Sequence, residues 1–178
     1  MKSQFERINR LPPYIFSEIN NLKLKLRSEK KDIIDFGMGN PDMATPQHIR
    51  DKLKETIDKP GVGRYSISRG IKGLRKAQAN YYQRRFDVNL DPDSEIIVTL
   101  GSKEGLANLA QAITSKGDKI ICPDPSYPVH PYGFMIAGAQ LIPLQTIFNG
   151  TFNQEKYLSK LEIYLKKNPS VKAIISSF

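Results

Sequence analysis

Cysteine and histidine are scarce in this sequence, which limits both disulfide and metal chemistry. Cys122 is the only cysteine among 178 residues, so no internal disulfide can form and a reducing compartment is acceptable. The two histidines, His48 and His130, provide no metal-ligand spacing. Because Cys122 ends a short apolar run, we expect a buried core thiol and not a nucleophile. The sequence therefore predicts no metal site.

Long apolar runs are missing as well. No stretch approaches the ~18 residues that a membrane-spanning helix needs, and the start of the chain lacks the apolar core of a signal peptide. Apolar residues make up 39% of the chain and charged residues 25%, which is typical of a globular protein. We therefore expect a cytoplasmic location and no membrane partner.

Acidic residues are outnumbered by basic ones, 18 against 27, and the formal net charge is +9. Such an excess can attract nucleic acid or an anionic cofactor. The basic residues are scattered in small groups, such as Lys30–Lys31, Arg84–Arg85 and Lys166–Lys167, and no aromatic residues lie between them to form a stacking platform. We interpret them as solvated helix faces and expect no nucleic-acid partner.

Apolar residues at helical spacing predict three helices in the first half of the chain. The first follows Pro12–Pro13, the second has Thr45 as its N-cap with Pro46 in its first turn, and the third ends near Phe86. Their apolar positions are Ile15, Ile19, Leu22 and Leu26, then Ile49, Leu53 and Ile57, then Leu74, Ala77 and Tyr81.

From residue 95 onward, strands and helices alternate. The predicted strands cover 95–99, 119–122, 140–144 and 171–176, and Gly117 is expected to cap the end of the helix that follows the first strand. This order predicts an α/β fold with a mostly parallel sheet flanked by helices on both faces. In such sheets ligands bind where loops leave the carboxyl ends of strands, which selects the loops after 99 and 122 and whatever follows Phe178.

The strongest local motif is Thr99-Leu100-Gly101-Ser102-Lys103-Glu104-Gly105. Gly101 permits a tight turn, and Ser102 and Lys103 then open a helix whose N–H groups and positive dipole end suit a phosphate. The Ser hydroxyl and the Lys ammonium can add charge-assisted hydrogen bonds. The spacing is neither that of a nucleotide P-loop nor that of a dinucleotide fingerprint. A plain capped helix would have the same sequence, so both interpretations stay open.

Two further residues have a possible role in binding. Tyr127 ends the next loop between two prolines, where its ring could stack on a planar group beside the phosphate or could simply pack at the rim of the core. Gly39, before Asn40–Pro41, could offer a backbone N–H to a carboxylate or could simply form a turn.

The order of four motifs is the most specific feature of the sequence. Together they resemble class I/II aminotransferases of the aspartate aminotransferase fold type, most closely the alanine (glutamate–pyruvate) branch and next the diaminopimelate aminotransferases. The resemblance covers essentially the whole chain. The motifs are Gly39-Asn40-Pro41-Asp42, then Arg64-Tyr65-Ser66 with Arg69-Gly70-Ile71, then Val98-Thr99-Leu100-Gly101-Ser102-Lys103-Glu104-Gly105, then Pro123-Asp124-Pro125-Ser126-Tyr127-Pro128.

This resemblance implies pyridoxal 5'-phosphate as the cofactor and assigns residues to it. Gly101, Ser102 and Lys103 match the phosphate-binding turn, and Tyr127 matches the aromatic residue that stacks on the pyridine ring. Tyr65 matches a tyrosine that reaches the cofactor phosphate of the neighbouring subunit, which implies a homodimer with shared sites.

For the substrates, the resemblance implies an amino acid, with alanine expected as donor, and a 2-oxo acid. Gly39 matches the glycine that contacts the substrate α-carboxylate. Residues 1–44 are expected to form an amino-terminal arm and part of a small domain, and residues 45–178 a partial, truncated large domain that binds the cofactor.

The family's Schiff-base lysine is expected beyond Phe178, so no catalytic residue is assigned in this sequence. Lys103, Lys116 and Lys160 are not placed to replace it. We therefore expect the chain alone to be catalytically incomplete and to need a complementing carboxyl-terminal chain. An alternative is a non-catalytic remnant that binds the cofactor phosphate or a complementing subunit.

Overall fold

A short apolar run forms the central strand of a parallel sheet. The computed structural model describes residues 5–37, 39 and 41–177, and in it β1 (Lys119–Asp124) lies between β2 (Gln140–Gln145) and β5 (Val171–Ile174). β1 pairs in parallel with both neighbours. Three of the predicted strands are thereby confirmed, with bounds that differ by one or two residues.

The two faces of this sheet are covered by different helices. Because successive residues of a strand point to opposite faces, the fully buried Ile120 and Ile121 belong to two separate cores. The core around Ile120 includes residues of α5 (Ser102–Ile113) and α6 (Val129–Ala137), and the core around Ile121 includes residues of α7 (Gln154–Lys167). The prediction of a parallel sheet with helices on both faces is confirmed.

Small elements complete the compact unit that contains this sheet, which consists of residues 1–12 and 94–178. β3 (Ile147–Phe148) and β4 (Thr151–Phe152) form an antiparallel hairpin before α7. The short α1 (Glu6–Asn9) is followed by Arg10, whose guanidinium donates to the backbone carbonyl of Ala139 at 3.2 Å. This hydrogen bond ties the amino-terminal residues of the unit to the loop before β2.

A second compact unit, Pro13–Asp93, contains α2 (Ile15–Ser28), α3 (Gln47–Ile57) and α4 (Lys72–Phe86). All three helices predicted from apolar spacing are confirmed. None of the helices in the described part of the chain combines the length and the apolarity needed to cross a membrane. The expected domain boundary between residues 44 and 45 stays a prediction.

One predicted strand is wrong. Residues 96–99 form neither a helix nor a ladder, and the three-stranded sheet of the described residues contains β2, β1 and β5. The apolar pattern of this segment is that of a strand, but a strand also needs a neighbour that accepts its backbone hydrogen bonds. Within the described residues the segment is not paired in a sheet, so the pattern alone was misleading.

Two predicted helix caps are also wrong. Pro46 and not Thr45 is the N-cap of α3, because its ψ of 139° is not helical and the helix begins one residue later. α5 ends with Thr114 as its C-cap, in the extended conformation that β-branched residues favour. Gly117 instead forms the turn before β1, with φ +89°, and its N–H donates to the carbonyl of Gly138 at 3.0 Å.

Carboxylates paired in the folded state predict a loss of stability in acid. The Arg75 guanidinium lowers the pKa of Asp93, and the backbone N–H of Ser115 lowers the pKa of Asp118 below its ordinary 3.8. A lowered folded pKa contributes stability that is complete above the ordinary pKa and is lost as the pH falls through the lowered value. We expect the urea midpoint, followed by circular dichroism, to drop below about pH 4, and to drop less in Asp118→Asn. A wild-type midpoint that stays constant down to about pH 3 would contradict this.

Candidate functional site

The first turn of α5 is opened by a glycine in a conformation that other residues avoid. Gly101 is the N-cap of the helix, with φ +88° and ψ 163°, and no side chain caps the helix there. The first N–H groups of any α-helix lack acceptors within the helix, and they carry the positive end of its dipole. The turn is therefore suited to an anion, with the exposed Ser102 and Lys103 beside it.

Residues on both sides of Gly101 hold this turn in place. The Thr99 hydroxyl donates to the Gly101 carbonyl at 3.0 Å, and a Cβ at Gly105 would lie only 3.0 Å from the same hydroxyl oxygen. The Glu104 carboxylate accepts a hydrogen bond from the Leu100 N–H. The one acidic side chain of the first turn is thus bound to the segment that precedes it, although it still reduces the net positive charge there.

Tyr127 lies beside this turn. It belongs to the loop after β1, and the Lys103 ammonium nitrogen lies over its ring, 5.5 Å from the ring centroid. Tyr127 is 43% exposed, so part of its ring surface remains accessible to a bound group. The structure therefore brings Gly101, Ser102, Lys103 and Tyr127 together, and their roles in binding stay predictions.

Close packing of α5 and α6 supports this juxtaposition. A Cβ at Gly133 of α6 would meet the Cα of Ala107 at 3.6 Å and the Cβ of Ala110 at 3.7 Å. Small residues at this contact let the two helices approach closely, and Ala110 and Phe134 are buried between the helices and the sheet. The start of α5 and the loop that leads into α6 are consequently held at the same end of the unit.

His130 contacts Tyr127, a role that its residue type and the missing metal-ligand spacing did not predict. Its ring packs edge-on against Tyr127, with centroids 6.1 Å apart and the ring planes at 74°, and its backbone N–H donates to the Tyr127 carbonyl at 3.0 Å. The side-chain Nδ1 is buried and has no hydrogen-bond partner within the described residues. The available signal was the short separation in sequence, since His130 lies only three residues after Tyr127 and in the first turn of α6.

Cys122 is buried, as predicted, with 4% of its surface exposed. Burial raises the pKa of its thiol, partly offset by the Ser126 hydroxyl 3.7 Å away, and the Asp124 carboxylate raises it further. A thiol that stays protonated at neutral pH is a poor nucleophile. The residue is part of the packing beneath the Tyr127 loop.

Gly39 and Tyr65 lie in the other compact unit. Both are exposed, Tyr65 fully so, and a Cβ added at Gly39 would meet nothing within 4 Å. Asn40, which is part of the predicted Gly39 turn, lies outside the described residues. The Gly101 turn belongs to the unit that contains the sheet, and the roles of Gly39 and Tyr65 also stay predictions.

Comparisons with known proteins identify relatives of the chain. The family model for aminotransferase class I and II matches residues 31–176. The putative aminotransferase AatC of Rhizobium meliloti (strain 1021) is 56% identical over 135 residues, which cover 76% of this chain and 33% of the relative. The glutamate-pyruvate aminotransferase AlaC of Escherichia coli (strain K12) is 54% identical over 143 residues, which cover 79% of this chain and 35% of the relative. An LL-diaminopimelate aminotransferase of Aquifex aeolicus (strain VF5) is 43% identical over 133 residues, which cover 75% of this chain and 34% of the relative.

The chain thus spans about a third of the length of these curated relatives. Among solved structures, a mutant of Thermus thermophilus aspartate aminotransferase has a TM-score of 0.84 at 26% identity, covering 99% of this chain and 44% of that one. Apo-BacF from Bacillus subtilis has a TM-score of 0.76 at 30% identity, covering 88% of this chain and 40% of that one. These likenesses confirm the predicted fold type for the part of the architecture that the chain represents.

The left-handed conformation of Gly101 predicts a specific sensitivity to a side chain. Gly101→Ala places a Cβ at φ +88° and should destabilise the chain by about 1–3 kcal/mol, although no atom obstructs the Cβ itself. Gly73→Ala is the matched control, since Gly73 lies within α4 with open space around it, and it should change stability by at most about 1 kcal/mol, in the stabilising direction. Urea unfolding followed by circular dichroism measures both, and equal effects of the two substitutions would contradict the assignment.

Proposed function

The chain belongs to the aminotransferase class I and II family, and we propose that it supplies phosphate and ring contacts for pyridoxal 5'-phosphate in an enzyme that moves an amino group between an amino acid and a 2-oxo acid. Enzymes of this family depend on that cofactor. The observation that carries the proposal is the position of Lys103, in the first turn of α5, over the ring of Tyr127. It puts donors for an anion next to a surface for a flat ring.

The residues present fit both ends of the cofactor. The phosphate would be held by the first-turn N–H groups of α5, the Ser102 hydroxyl and the Lys103 ammonium, because each can donate a hydrogen bond to an anion. The ammonium also adds a positive charge, and the hydroxyl can rotate towards the phosphate. The pyridine ring would lie against the exposed part of Tyr127, whose own position is supported by His130.

When bound, the cofactor withdraws electrons from the bond that breaks at the substrate α-carbon. The residues of this chain would hold and orient it: the α5 turn would bind the phosphate, and Tyr127 would pack against the ring. Gly39 is proposed to donate its backbone N–H to the substrate carboxylate. We propose that the lysine that holds the cofactor and moves the proton is supplied by sequence outside these 178 residues, so that the chain alone is inactive.

Partners and substrate follow from the same proposal. Tyr65 is proposed to reach the cofactor phosphate of a neighbouring subunit, which requires a homodimer. The lysine proposed to lie outside these residues requires a complementing carboxyl-terminal chain. Exposed apolar residues support an assembly with further protein, since Phe36 is 93% and Leu100 92% exposed.

The 54% identity to AlaC, against 43% to the diaminopimelate enzyme, favours alanine as the amino donor. The expected cytoplasmic location stays a prediction.

The alternative is a chain without turnover that binds the cofactor phosphate or a complementing subunit. It shares the α5 turn and Tyr127 with the first proposal, so binding of the cofactor does not separate the two. They differ in whether catalysis appears once the missing part is supplied.

Binding of pyridoxamine 5'-phosphate tests the proposed cofactor contacts of the α5 turn and Tyr127. This form of the cofactor is used because it lacks the aldehyde that reacts with surface lysines. Ser102→Ala should weaken binding about tenfold, through loss of a hydrogen bond to a charged group, and Tyr127→Ala should weaken it by a similar factor, through loss of stacking. Tyr127→Phe keeps the ring and should stay within about threefold of wild type. Ser159→Ala, an exposed serine of α7, is the matched control. Fluorescence titration measures all four, and equal loss in Tyr127→Phe and Tyr127→Ala would argue against stacking.

Complementation tests the activity. Co-expression with the carboxyl-terminal part of Escherichia coli AlaC that this chain lacks should yield an enzyme that forms pyruvate from alanine and 2-oxoglutarate, whereas the chain alone should form none. A coupled assay for pyruvate measures the rate. A folded, cofactor-bound complex with no turnover would favour the non-catalytic alternative, and faster turnover of LL-diaminopimelate would overturn the choice of alanine.

A further inference from the structure

Arg75, on α4, is the charged residue that is buried within the described part of the chain, with 8% of its surface exposed. Its guanidinium donates to the Gly70 carbonyl at 2.5 Å, to the Pro92 carbonyl at 2.7 Å and to the Asp93 carboxylate at 2.7 Å. A buried charge is tolerated when it is paired and its N–H groups are bonded. Because the three acceptors come from two chain segments, Arg75 fastens both of them to α4.

The first of these is the Tyr65 segment, Arg64–Gly70. Gly70 ends it in the left-handed region with φ +85°, its N–H donates to the Ile67 carbonyl at 2.7 Å, and its own carbonyl accepts from Arg75. Tyr65 is fully exposed, so packing of its side chain does not fix its position. The place of Tyr65 is therefore set by the backbone of the segment and by the contacts at its ends.

The second segment is the turn at residues 91–93. The Asp93 N–H donates to the Asp91 carboxylate at 2.9 Å, which closes the turn. Asp93 pairs with Arg75 and also lies 3.8 Å from the Lys72 ammonium. Arg69, within the Tyr65 segment, donates to the Asp93 carbonyl as well. The end of the Tyr65 segment is thus held twice, once by Arg75 directly and once through the turn that Arg75 also binds.

We propose that Arg75 is a positioning residue for Tyr65: its three-way hydrogen bonding fixes the carboxyl end of the Tyr65 segment and so presents Tyr65 to the phosphate. This rests on the proposed function, in which Tyr65 contacts the cofactor phosphate of a neighbouring subunit. A lysine cannot replace the arginine, because one ammonium lacks the planar fork that reaches three acceptors in different directions.

A double-mutant cycle on the affinity for pyridoxamine 5'-phosphate separates positioning from a general structural role. Tyr65→Phe should weaken binding about tenfold and Arg75→Lys about fivefold, and the double variant should be no weaker than Tyr65→Phe alone, since Arg75 acts through the Tyr65 hydroxyl. Arg84→Lys, an exposed arginine on the same helix, is the matched control and should leave affinity unchanged. Amide hydrogen exchange should become about tenfold faster at Gly70 in Arg75→Lys and stay unchanged in β1.

Other outcomes overturn the inference in distinguishable ways. Fully additive losses would show that Arg75 acts independently of Tyr65, and unchanged exchange at Gly70 would show that it does not hold the segment; either leaves the proposed function intact. No binding by the wild type, or no effect of Tyr65→Phe, would overturn the proposed role of Tyr65 and this inference with it. If Arg75→Lys does not fold, Asp93→Asn replaces it in the cycle, because it removes the paired charge and keeps one acceptor oxygen for Arg75. The same non-additivity is then expected with a loss of about threefold.

Discussion

The left-handed turn at Gly101 is the constraint on which the candidate site depends. With φ +88° the chain changes direction between the irregular segment 96–99 and α5, and the helix begins at Ser102 with its first N–H groups uncapped by any side chain. A residue with a Cβ would favour a different backbone angle at this point and would shift the start of the helix. The position of the donors therefore depends on a residue that has no side chain, and Thr99 and Glu104 then hold the turn in place.

The parallel sheet determines what lies beside those donors. β1 carries the chain to the loop of Tyr127, and α6 then packs on α5 through Gly133 and the alanines opposite it. Lys103 and His130 contact Tyr127 from the two helices that meet there. The local electrostatics favour an anion, since Lys103 and the helix dipole are positive and the Glu104 carboxylate is bound to the Leu100 N–H. The net charge of +9 on the whole chain acts in the same direction at longer range.

Much of the fold was predictable because its elements carry their own periodic signal. Apolar spacing predicted α2, α3 and α4, and the apolar runs predicted β1, β2 and β5. Burial of one face or both faces of an element requires apolar residues at a regular spacing, which can be recognised in the sequence. The segment 95–99 shows the limit of that signal, because the pattern says that a segment could be a strand and not whether a partner strand is present. The predictions of two helix caps were wrong for a related reason, because Thr45 and Gly117 are good caps by residue type alone. The backbone angles place the N-cap of α3 at Pro46, and Gly117 bonds to Gly138 in the turn before β1.

The candidate site was predicted in part. Gly101, Ser102, Lys103 and Tyr127 were found by motif and lie together, whereas His130 was passed over because its contact with Tyr127 depends on a helix starting between them. Arg75 was missed because burial of an arginine leaves no periodic trace, and its acceptors lie as far as 18 residues away in the sequence. Gly39 and Tyr65 belong to a different compact unit, so contacts within either unit do not test them.

The most direct test of the proposed cofactor site, formed by the α5 turn and Tyr127, is a titration of ¹⁵N-labelled chain with pyridoxamine 5'-phosphate, followed by NMR. Phosphate-free pyridoxamine is the control ligand. We expect the amide signals of Ser102, Lys103 and Glu104 and the ring signals of Tyr127 to shift together, and the control ligand to leave the three amides unchanged. Shifts confined to exposed basic residues such as Lys166 and Lys167, with the α5 turn and Tyr127 unaffected, would contradict it.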